Sequence, residues 1–187
     1  MKRAVFLLLL ALPLQADVRA LVIEGAKRQV GVTRVYDPSY QQLRYPGGDV
    51  PPERGVCADV VVRAFRHAGL DLQQLVHDDM ASNFGRYPRR WGLRRPDANI
   101  DHRRVPNLET YFARRGKSLA VSRKGGDYQP GDIVAWRLPG NGLPHIGVVS
   151  DVREPGTDRY RVVHNIGYGT QLEDVLFAFE VVGHFRW

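Results

Sequence analysis

Cysteine is nearly missing: Cys57 is the one thiol in 187 residues, which leaves no partner for an intrachain disulfide and no cysteine cluster for zinc or iron–sulfur chemistry. A small scaffold held by covalent staples is thereby excluded. The histidines fall at no His-x-x-x-His spacing, so the usual metal-ligand patterns are absent and no metal site is expected. Long apolar runs are lacking too. Ala4–Leu12 is unbroken but falls well short of the roughly 20 residues that span a bilayer. No later segment approaches that length, so no integral membrane segment is expected after processing. The chain shows no internal repeat, low-complexity tract or interdomain linker, which at this length favours one domain.

What is present is an ordinary globular composition, 43% hydrophobic and 25% charged, enough apolar material for a packed core. Lys and Arg outnumber Asp and Glu by 27 to 20, which allows an anionic partner without choosing one. The N-terminus bears on compartment. Lys2 and Arg3 precede the apolar run, Pro13 breaks it, and Leu14-Gln15-Ala16 ends in a small residue, the order of a secretory signal peptide over residues 1–16. Val18-Arg19-Ala20 offers cleavage as late as residue 20. The mature chain, 17–187, is then expected in a periplasmic or secreted location.

Along that chain Leu21–Gln29 allows a short helix, Val30–Val35 is β-prone, and the turn-rich stretch from Tyr36 to Pro52 reads as a long loop. Cys57, Val60, Val61, Ala64, Phe65 and Ala68 then form an amphipathic stripe ending at Gly69, a helix with Cys57 in its first turn. Two readings of Cys57 follow. Helix N-termini stabilise thiolates and depress their pKa, yet a cysteine on an apolar stripe is also ordinary packing. Val105-Pro106-Asn107-Leu108 opens another helix, with Leu108, Tyr111 and Phe112 facing the core and Gly116 ending it.

Asp132–Trp136, His145–Ser150, Arg159–Ile166 and Phe177–Phe185 read as strands, with Pro155-Gly156 turning the middle pair, so an antiparallel sheet is expected. It brings His145 and His164 together on one face, where the helix N-terminus would meet both. Arg86, Arg89, Arg90, Arg94, Arg95, Arg103 and Arg104, interleaved with Tyr87 and Trp91, would suggest nucleic acid in a cytosolic protein. Export removes that expectation and leaves anionic wall polymers, peptide carboxylates or a solvated loop. His102 belongs either to a substrate carboxylate or to a solvated loop, Asp59 is placed on the helix face opposite Cys57, and His184 reads as structural.

A cysteine followed by a histidine and a third polar group is the order of papain-like cysteine hydrolases. Gly55-Val56-Cys57-Ala58-Asp59, the Pro130–Trp136 block, His145-Ile146-Gly147-Val148-Val149 and Val162-Val163-His164-Asn165 resemble the core blocks of the NlpC-type papain-like superfamily of bacterial cell-wall peptidases and amidases. More narrowly, the Tyr45–Asp49, Ile100–Leu108, His164–Gly167 and Gly183–Arg186 segments are similar to the YijF-like family of exported bacterial proteins, a domain of unknown function, over about Tyr36 to Trp187. The resemblance implies a papain-like α+β fold, a nucleophile helix packed on an antiparallel sheet. It implies Cys57 as nucleophile, His145 as general base and His164 as the orienting group, with Asn165 replacing His164 if the strand register is inverted. Tyr45, Asp59, His102 and Arg103 are the candidate substrate-binding residues, and the Tyr45 hydroxyl a candidate oxyanion donor. Where the superfamily usually has a pattern such as Asp-Cys-Ser, this chain has Val56-Cys57-Ala58. The implied activity is hydrolysis of an amide or peptide bond in peptidoglycan without a cofactor. A catalytically inactive wall-binding domain and an antibacterial effector acting on a wall are the alternatives.

Overall fold

Helices α1 (Val18–Lys27) and α2 (Cys57–His67) cross so closely that a Cβ on Gly25 would lie 2.5 Å from the Cβ of His67; only glycine admits that approach. The computed structural model describes residues 17–187, and the signal peptide expected over residues 1–16 lies outside the described residues. Helix α1 begins earlier than Leu21 because the Asp17 carboxylate accepts the Arg19 N–H at 3.0 Å and caps it. In α2 the stripe Cys57, Val60, Val61, Ala64 and Phe65 is buried, and Gly69 follows the helix at φ +80°, a conformation that favours glycine.

Helix α3 (Leu72–Asn83) lacks a clear apolar signal because buried Gln73 and Asp79 interrupt its Leu72, Val76 and Met80 stripe. Helix α4 (Val105–Arg115) has Pro106 in its first turn, and buried Leu108, Tyr111 and Phe112 face the core. No helix among the described residues is long and apolar enough to cross a membrane.

The strands are β1 (Val35–Tyr36) and β2 (Arg54–Gly55), a short parallel pair, then β3 (Lys117–Ser118), β4 (Ile133–Arg137), β5 (Pro144–Arg153), β6 (Tyr160–Asn165), β7 (Thr170–Glu173) and β8 (Glu180–Arg186). The last six form one antiparallel sheet in the order β3-β8-β4-β5-β6-β7. Strand alternation divides its side chains. Ile133, Ala135, Ile146, Val148 and Val163 pack with the helices, whereas Val134, Trp136, Val149 and Val162 pack with Tyr128 and Leu176 on the other face. The architecture is α+β, helices on an antiparallel sheet. Instead of starting at Phe177, the closing strand starts at Glu180, because Val175–Ala178 forms a turn and Phe177 packs edge-on against Tyr128.

Candidate active site

Strand pairing brings the two histidines together. Gly147 lets β6 approach β5, since a Cβ there would meet the Val162 side chain at 2.8 Å and the Val163 carbonyl at 2.9 Å. Beside it, His145 Nε2 and His164 Nδ1 lie 2.9 Å apart, and His164 Nε2 lies 2.9 Å from Glu173 Oε2 on β7. Partner chemistry fixes the neutral tautomers. The Glu173 carboxylate only accepts, so His164 donates from Nε2 and its Nδ1 accepts the Nε2–H of His145; the unprotonated nitrogen of His145 is then Nδ1. Trp136 stacks on the His145 ring at 5.5 Å between centroids and restrains its plane. Asn165 points to the helix face, where its Nδ2 donates to the Gly55 carbonyl at 3.1 Å. The register therefore joins His164, and not Asn165, to His145.

Cys57 and His145 line one cleft of about 560 Å³. The Ile146 and Ala58 N–H groups and the Tyr36 hydroxyl lie beside the thiol and favour its anion. Burial outweighs these donors and pushes the thiol up to about 11, with the Asp59 charge adding to the rise. The depressed pKa expected from the helix N-terminus is thus corrected: desolvation dominates at a residue 4% exposed. Burial, then the neighbouring His164, lowers His145 to about 3. His164 is lowered by burial against the opposing pull of Glu173. The resting pair is therefore a neutral thiol and a neutral imidazole, and no hydrogen bond joins Cys57 to His145 among the described residues.

The expected substrate-binding residues are placed differently. Tyr45 donates its hydroxyl to Asp78 at 3.0 Å, packs edge-on to His77 and does not line the cleft; the phenol beside the thiol is Tyr36. Asp59 is buried, not on an outer face, because Arg103 grips it through Nε at 2.8 Å and Nη2 at 3.0 Å. The other Asp59 contact caps α2 by accepting the Val56 N–H at 2.7 Å. Arg103 further donates to the carbonyls of Ser39 and Asp37, so its fork is consumed internally although it borders the cleft. His102 is buried on a turn among α2, α3 and α4, neither in a solvated loop nor at the cleft. His184 donates from Nε2 to the Asp132 carboxylate, which Arg186 also grips at 2.7 Å, away from Cys57.

Three cleft or relay residues escaped assignment to the site from sequence: Tyr36, Glu173 and Arg104. Glu173 faces His164 only once β7 is known to pair with β6 in the register Val162↔Glu173. Among the described residues no group of three or more His, Cys, Asp and Glu side chains is arranged to hold a metal ion.

A family model described as a domain of unknown function (DUF1287) matches residues 23–187. The chain is 59% identical over 175 residues to the "Uncharacterized protein YijF" of Escherichia coli (strain K12), an alignment covering 93% of this chain and 84% of that protein. No solved structure matches it.

Proposed function

The chain belongs to the DUF1287 family, and from the site its residues build we propose that it is an exported thiol hydrolase cleaving an amide or peptide bond, with wall peptides of peptidoglycan as its substrate class. The observation that carries this reading is the Glu173–His164–His145 relay, which leaves Nδ1 of His145 unprotonated, His145 lining the same cleft as the only cysteine. We read the helix-on-sheet arrangement as papain-like, on the resemblance of the Cys57, His145 and His164 blocks to the NlpC-type superfamily. The signal-peptide pattern of residues 1–16 supports export to the periplasm or beyond.

Because the resting pair is neutral, proton transfer accompanies attack. His145 takes the thiol proton as Cys57 Sγ bonds to the amide carbon, and the carbonyl π pair moves onto oxygen. The Tyr36 hydroxyl and the N–H groups around the sulfur supply donors for that oxyanion. Return of the electron pair breaks the C–N bond, and the departing nitrogen takes the proton from His145. Water then attacks the thioacyl carbon, giving its proton to His145, and the thiol leaves with that proton as the carboxylic acid forms.

Incubating the mature protein with purified sacculi and muropeptides, and reading new amine and carboxyl ends by mass spectrometry, tests the reading. Cleavage by wild type and none by Cys57→Ala is expected; equal cleavage by the variant would refute it. The buried, high-pKa thiol favours a second reading, a catalytically inactive wall-binding domain. That protein would be retained on sacculi with or without Cys57 and would release nothing.

A further inference from the structure

The arginines 103 and 104 border the same cleft but differ in what they hold. The Arg103 guanidinium spends four of its five N–H donors on Asp59 and two carbonyls. Arg104 is only 17% exposed at its side chain, and its one carboxylate contact among the described residues is Asp101 at a long 3.5 Å. That contact uses Asp101 Oδ1, while the other oxygen accepts the Asp97 N–H. Burial outweighs the pull of Asp101 and Asp97 and lowers the Arg104 pKa, as expected of a cation short of compensation. Among the described residues no acidic side chain lines the cleft.

Trp91 covers this guanidinium, with its ring centroid 4.2 Å from the Arg104 carbon. Trp91 is half exposed and sits at φ +64°, strained for a bulky residue. The stack leaves the guanidinium edge available for in-plane hydrogen bonds. Arg94 and Arg95, which line the neighbouring pocket that shares Tyr40 with this cleft, form no ion pair among the described residues.

The geometry points to Arg104 as the receptor for a substrate carboxylate in the Cys57 cleft: the substrate is an acidic acyl or peptidyl amide whose carboxylate lies close to the bond attacked. Arg104 forms the paired contact that a planar carboxylate accepts, and Trp91 fixes the plane of the fork. This assignment rests on Cys57 being the reactive group, and it names the charge of its substrate.

Two alkylating agents of nearly equal size, iodoacetate and iodoacetamide, test it at pH 7 with no substrate in hand. Both form an Sγ–CH₂ bond, expel iodide and release the thiol proton, so their rate ratio cancels changes in the thiol itself. The urea-unfolded chain, with the same single cysteine, gives the reference ratio. The folded protein should favour iodoacetate about tenfold beyond that reference, the size of a partly screened charge contact. Arg104→Gln should return the ratio to the reference, Arg104→Lys should keep part of the preference, and ~1 M salt should narrow it. A folded ratio at or below the reference, or one unmoved by Arg104→Gln, overturns the assignment while iodoacetamide reactivity leaves Cys57 standing. A folded thiol inert to both reagents overturns the Cys57 reading and this one with it.

Discussion

At Cys57 two influences oppose each other. The helix N-terminus, the Ile146 and Ala58 N–H groups and the Tyr36 hydroxyl favour a thiolate, while burial disfavours it and prevails. In the proposed mechanism a base is therefore needed at the moment of attack, and Glu173 sets which nitrogen of His145 would serve. Glu173 has a half-exposed side chain and no packing role comparable to that of His164. Glu173→Ala should fold normally but lower iodoacetamide alkylation of Cys57 at pH 7 about tenfold, whereas Glu173→Gln, which keeps an accepting oxygen, should lose less. Equal rates in all three proteins would show that the carboxylate does not position the relay. Cys57, His145 and His164 were legible in the sequence because each sits on a strongly patterned helix or strand. Glu173 was not, because β7 is four residues long and its partner depends on folding. Tyr36 and Tyr45 lie in one turn-rich loop, whose sequence does not reveal which tyrosine reaches back to the thiol.

At the scale of elements, the first turn of α2 is pinned by the buried Asp59–Arg103 pair, whose side chains are 3% and 2% exposed. Removing one partner leaves an uncompensated buried charge, which costs about 3–5 kcal/mol. Asp59→Asn, which removes the charge but keeps an oxygen to accept the Val56 N–H, should therefore lower the unfolding free energy in urea by about that amount; a loss below ~1 kcal/mol would mean that Arg103 finds other compensation. The sequence marks α2, α4 and strands β4, β5, β6 and β8 through their periodicity. It does not mark α3, where Gln73 and Asp79 occupy buried positions and hydrogen-bond there. Residues 84–104 have little regular structure yet supply Trp91, Ile100, Arg103 and Arg104 to the cleft. Charge count allows an anionic partner there, but does not say which arginine is already spent.

For the whole molecule, three buried histidines are held neutral: His102 at about 4, His145 at about 3, and His164 below its ordinary value. In the unfolded chain each titrates near 6.5, so between that pH and its folded value the unfolded state binds more protons. Their contribution to stability is present above about pH 6.5 and is lost as pH falls toward 4. For His102 alone the full loss approaches 3 kcal/mol at the bottom of that window. Urea midpoints should drop steadily from pH 7 to pH 4.5, and His102→Gln should flatten the slope. Constant midpoints across this range would mean the histidines are protonated in the folded protein.

The pairing of Cys57 with His145 is tested most directly by the iodoacetamide alkylation rate of the folded protein at pH 7, compared with His145→Ala. General-base help is worth about 10²–10⁴-fold, so the variant should react at least about a hundredfold more slowly than wild type. Both proteins should react alike once unfolded in urea. Equal rates in the folded proteins would contradict the pairing and leave Cys57 a core residue of a binding domain.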